Sequence, residues 1–180
     1  RACSDAGQDA RAQRHYVTGL RAAHAAGDRA LGASILGWMS HQALHLGQFS
    51  EAATLASAAH TGHPRATGRP AVVMHLNSAR AQMHGGAPMA ARHFLDQAFS
   101  EMADARPDEG PRWAYWVDKG TVYNNAGQVF TQLDQWATAR RHLGVALAHL
   151  EDVRPSEAVL TQIRLATAHA GGSDRDLARA

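Results

Sequence analysis

Cysteine is almost missing from this chain: Cys3 is the only one among 180 residues. No intrachain disulfide can form, and no zinc cluster built on cysteine is possible. That fits a reducing cytoplasm. Lysine is as scarce, since Lys119 is the only one and the remaining basic side chains are arginine. There is no basic block, and 18 Lys and Arg against 16 Asp and Glu leave a net charge of only +2, so no direct nucleic-acid contact is expected from this segment. No run of about 18 apolar residues is present, which removes a membrane-spanning helix. A basic–apolar–small leader is missing too. Alternating β-branched runs are absent, so no strand is expected.

The signatures of catalysis are missing as well. There is no G-x-S-x-G elbow. Neither Gly85-Gly86 nor Gly171-Gly172 is followed by Lys-Ser or Lys-Thr, so neither is a phosphate loop. Cys3 has no base near it in sequence. Asp108 and Glu109 lie between prolines and read as helix-start charges rather than an acid/base pair. We therefore expect no enzyme, no catalytic residue and no cofactor.

What is present is a chain with 45% apolar and 19% charged residues, the balance of a folded globular protein. Its length suits a single domain over residues 1–180 with one continuous core. The most regular stretch runs from Tyr123 to Leu147. Tyr123, Ala126, Gly127 and Phe130 place a small pair between two aromatics, and Ala139, Leu143 and Ala146 follow at steps of four and three. Around Gly47 the pattern returns: Leu36, Met39, Ala43 and Leu46 form an inward stripe. Gly47 ends that helix and Phe49 plugs the turn. Ala52, Ala56 and Ala59 face back, and Pro64 closes the unit. A first, incomplete unit follows Gly7, with Ala12, Tyr16 and Gly19. A third surrounds Gly85-Gly86, with Ala91, Leu95 and Ala98, or Ala90 and Phe94 in the alternative register.

These spacings resemble the tetratricopeptide repeat (TPR), a helix–turn–helix unit of about 34 residues. The resemblance covers nearly the whole chain and is strongest in the fourth unit. It implies an all-α fold: antiparallel helix hairpins stacked in a TPR-like right-handed superhelix, with about eight helices and fragments of others at the ends. Small residues let paired helices approach, and larger ones fill the gaps beside them. Ala26-Gly27-Asp28 reads as one helix stop and the next helix cap. Thr61 to Pro70 and Arg106 to Arg112 read as loops. A helix is expected from Pro111 to Thr131. Another opens at Pro155-Ser156-Glu157, closes at Gly171-Gly172-Ser173-Asp174, and a further one starts at Asp174. The chain opens on Arg1 with most of its first helix missing, so a fragment of a longer protein is expected. Ala- and Arg-rich arrays of this kind are similar to the C-terminal domains of actinobacterial helix-turn-helix transcription regulators.

The resemblance implies a concave groove lined by the first helix of each pair. Transferring those positions gives Ser34, His41 and His45 in the second unit. It gives Arg80 and His84 in the third, and Asn124, Gln128 and Thr131 in the fourth. Paired amides at Asn124 and Gln128 can grip a peptide backbone, and Arg80 can hold a carboxylate bidentately. Trp113 and Trp116, one helical turn apart, suit an aromatic wall or the packing of the third unit against the fourth. The expected role is that of a ligand- or protein-binding domain of a bacterial regulator, taking a peptide, protein or small molecule. Binding would shift the curvature of the array and signal to an attached DNA-binding domain. A self-associating scaffold, a possible homodimer, is the alternative. A metal-dependent enzyme is the third reading. His41-Gln42-Ala43-Leu44-His45 puts two imidazoles one turn apart, but Gln42 stands where a zinc protease needs Glu, so no metal is expected there.

Overall fold

Helix ends are where this fold is decided. A helix stops cleanly when one residue enters the left-handed backbone region and its neighbours return hydrogen bonds to the last turn. In a computed structural model, which describes residues 7–106 and 110–179, and side chains only as far as Gly172 in the last helix, this happens repeatedly. Gly27, Gly47, Gly86 and Asp134 have φ of 67°, 72°, 76° and 57°. In each case the N–H of the following residue reaches back five positions: Asp28 to Ala23, Gln48 to Ala43, Ala87 to Gln82 and Gln135 to Phe130. The same turn therefore joins four helix pairs.

The described residues are all-α and contain no strand. Eight α-helices follow in order: α1 (Asp9–Ala25), α2 (Arg29–His45), α3 (Phe49–Gly62), α4 (Gly68–His84), α5 (Pro88–Asp104), α6 (Lys119–Gln132), α7 (Trp136–Leu150) and α8 (Pro155–Arg179). A single 3-10 turn, Arg112–Ala114, precedes α6. The chain forms two compact units, residues 1–111 and 112–180.

In the first unit α2 packs on α3 and α4 on α5, and α1 covers α2. α2 also packs directly on α4. Gly37 permits that approach, because a Cβ there would overlap the Asn77 amide. Ala52, Ala56 and Ala59 are buried, as are Ala12 and Tyr16. Of the two registers open for α5, the buried set is Ala91, Leu95 and Ala98.

Two side chains of this unit depart from expectation. Leu46 is 46% exposed, because it caps α2 and points out of the turn instead of continuing the inward stripe. Phe49 is 42% exposed and stacks on His84, with ring centroids 5.1 Å apart, so it does not plug the turn.

In the second unit α6 and α7 form the densest pairing and α8 packs along α7. Ala139, Leu143 and Ala146 are fully buried. Two sequence expectations are corrected here. The helix expected from Pro111 begins only at Lys119. Asp118 caps it, its carboxylate accepting from the Thr121 backbone N–H at 2.8 Å, and the Thr121 hydroxyl donates to the Trp116 carbonyl at 3.0 Å. These bonds fold the segment before Lys119 into a turn. Nor do Gly171 and Gly172 end a helix: α8 runs through them to Arg179. A Cβ at Gly171 would overlap the Trp136 indole, and one at Gly172 would displace the Arg140 guanidinium. Close packing there offsets the roughly 1 kcal/mol helix penalty of each glycine. Cys3, Asp108 and Glu109 lie outside the described residues.

Candidate functional site

Residues on α2 and α4 share one end of the first unit. Gly37 meets Asn77 where α2 crosses α4. His41 and His45 lie four and eight residues beyond Gly37 on α2, and Arg80 and His84 three and seven residues beyond Asn77 on α4. His41 and His45 are in contact, Nε2 to Nε2 at 3.3 Å, with ring centroids 4.4 Å apart. Burial lowers the pKa of His84, and the Arg80 charge lowers it further. Phe49, from the start of α3, adds an aromatic face against His84. Ser34 is different. It is 2% exposed and its hydroxyl is buried with no hydrogen-bond partner among the described residues. A ligand on an open face would not touch it. Among the described residues no group of three or more His, Cys, Asp or Glu side chains is arranged to hold a metal ion.

The second unit carries a polar ridge between α6 and α8. Asn124 is buried, and its carbonyl oxygen accepts from Arg164 Nη1 at 3.2 Å. Burial lowers the pKa of Arg164, and the opposing effect of Glu157 is smaller. Gln128 donates to the Asn124 backbone carbonyl at 3.4 Å, and the Thr131 hydroxyl donates to the Gly127 carbonyl at 2.9 Å. The amides expected to face a ligand are therefore already engaged inside the unit. Arg164 is the neighbour that sequence reasoning missed. It lies 40 residues from Asn124, and only the stacking of α8 brings them together. Beside it, Arg154 bridges Asp118 at 2.7 Å and Glu157 at 2.9 Å.

The two tryptophans do not share a helix. Trp113 sits in the 3-10 turn and Trp116 in the bend after it. Both are half-buried, and the Trp113 indole N–H is buried without an acceptor among the described residues.

The class this architecture defines is all-α, built from helix pairs joined by three-residue turns. No protein-family model matches the sequence, and neither a curated protein nor a solved structure does. No helix among the described residues is long and apolar enough to cross a membrane.

Proposed function

We propose that this chain is a TPR-like binding module of the cytoplasm. It takes a peptide, protein or small-molecule ligand on the inner faces of its first helices, as the sensory or interaction domain of a bacterial transcription regulator. The observation that carries the reading is the direct packing of α2 on α4 through Gly37 and Asn77, with α3 left beside α2 and α5 beside α4. Helix pairs stacked in this way present a continuous face of alternate helices. In the first unit that face bears His41, His45, Arg80 and His84, a mixture of cationic and titratable donors suited to acidic or carbonyl-rich groups. The second unit, taken by itself, carries Asn124, Gln128 and Thr131 on α6, with Arg164 of α8 bonded to Asn124. Titration calorimetry with candidate peptides and small molecules tests the proposal. A ligand of the first unit loses affinity with Arg80→Ala and a ligand of the second with Asn124→Ala, and unchanged affinity in both variants contradicts the reading.

A second reading, self-association, is favoured by one observation. Val153, Val159, Leu160 and Ile163 are all more than half exposed in and just before α8. An apolar patch of that kind is commonly covered by a partner. Light scattering across a concentration series separates the two: a strict monomer weakens the scaffold reading.

A further inference from the structure

Three helices of the first unit meet around a group of imidazoles that the proposed binding face does not use. His60 from α3, His75 from α4 and His93 from α5 surround Phe94. The His60 and His75 rings are 5.2 Å apart, and both lie against Phe94, at 5.5 and 6.1 Å. His93 contacts the same ring at 6.0 Å. His60 Nε2 pairs with the Ser78 hydroxyl at 2.9 Å. His75 Nδ1 is buried with no hydrogen-bond partner among the described residues. His93 is exposed, whereas the half-buried setting of His60 and His75 accommodates neutral rings and opposes a charge.

The charged groups around it give no relief. From α3 the neighbour is His60 itself, and from α5 it is His93, both of which disfavour a proton on His75. On α5, Asp96 is exposed and Glu101 is committed to the Gly68 backbone N–H at 2.6 Å. α2 packs on α4 through Gly37 and Asn77 and touches Ala59 and Met74 through Ala33, and its titratable residues, Arg29, His41 and His45, lie toward its ends. Arg69 and Arg80 project from α4 at other angles.

We propose that the His60–His75 pair against Phe94 is an acid-sensitive latch that holds α3 against the α4–α5 hairpin and lets go when the two rings take up protons. The α3–α4 contact is the one that yields, because it is sparser than the α2–α3 and α4–α5 pairings. Its opening uncovers the apolar contact among Ala33, Ala59 and Met74. Burial first, and then the neighbouring imidazoles, bring His75 down to about 4, and burial also lowers His60. A lowered folded value means that the open form binds protons more readily. The latch is therefore fully closed above the ordinary histidine pKa of about 6.5 and loosens as the pH falls toward 4.

Amide hydrogen exchange of the intact chain, corrected for intrinsic rates, tests this at pH 7.5 and pH 5. The opening constant of α3 and the first half of α4 should rise about tenfold or more at the lower pH. His75→Phe and His75→Gln should each remove most of that rise. Direct titration of the His75 ring by NMR in the unmodified protein provides a measurement that needs no variant. An α3 opening constant that does not rise between pH 7.5 and pH 5 overturns the proposal. So does a His75 that titrates near 6.5, or a pH response that persists in both variants.

Discussion

Gly127 and Leu143 occupy the same space in alternation. A Cβ built on Gly127 would stand 2.5 Å from Leu143 Cγ, so the leucine on α7 fits only because α6 has no side chain there. Leu143 is fully buried in return. Gly127→Ala should therefore destabilise the second unit by about 1–3 kcal/mol through overpacking. Leu143→Ala should cost about 2–5 kcal/mol by leaving a void. The double variant should cost less than the sum by more than about 1 kcal/mol, because the new methyl enters the vacated volume. Urea denaturation of the four proteins measures the coupling. Strict additivity would show that the two positions do not share a site.

Asp134 has the same left-handed backbone as Gly27, Gly47 and Gly86, but carries a side chain. Asp134→Gly should raise stability by about 0.5–1 kcal/mol by removing the Cβ conflict. Asp134→Ala serves as the control, since it keeps the conflict and deletes only the carboxylate. A glycine variant no more stable than the alanine variant contradicts the assignment.

Two aspartates cap helices with the same geometry. Asp28 accepts from Leu31 N–H at 2.9 Å and Asp118 from Thr121 N–H at 2.8 Å. Only Asp118 also receives the Arg154 guanidinium. Asp28→Ala should cost about 1 kcal/mol, the usual value of a cap. Asp118→Ala should cost about 1 kcal/mol more and respond more strongly to salt, because it also breaks a charged hydrogen bond. Thermal melts at low and high ionic strength compare them.

His142 is held between Tyr123 and Phe130, stacked on the latter at 5.1 Å. Burial, and then the Arg141 charge, lower its pKa below the usual 6.5. The neutral ring is thus favoured on folding. Its contribution is complete above about pH 6.5 and is lost as the pH falls through the folded value. His142→Phe should flatten the pH dependence of unit-two unfolding below pH 6.5, as read by hydrogen exchange in α6 and α7. An unchanged slope would place the sensitivity elsewhere.

Much of the fold could be read in the chain before any coordinates. Gly27, Gly47 and Gly86 marked their turns because few other residues accept that backbone, and the buried alanines of α3, α5 and α7 followed the helical period. Asp134 was less conspicuous, since the same turn was made without glycine. Pro111 is a common helix opener and so points to an early start for α6, whereas Asp118 takes the role through a side-chain bond that only the folded turn reveals. Gly171-Gly172 looked like a stop because a helical glycine is costly, and the compensating contact with Trp136 is 35 residues distant in sequence. The polar ridge was half legible. Asn124 and Gln128 stood on the expected helix, but their occupation by Arg164 and by backbone carbonyls depends on tertiary packing.

Backbone and side-chain shift mapping tests most directly whether alternate helices present the proposed binding face, using a peptide selected from a randomised library against the intact chain. Saturable shifts are expected at His41, His45, Arg80 and His84 on α2 and α4, with α3 and α5 largely silent on their outer sides. Shifts confined to α3, α5 and α7, or no saturable binding by any selected peptide or small molecule, would contradict it.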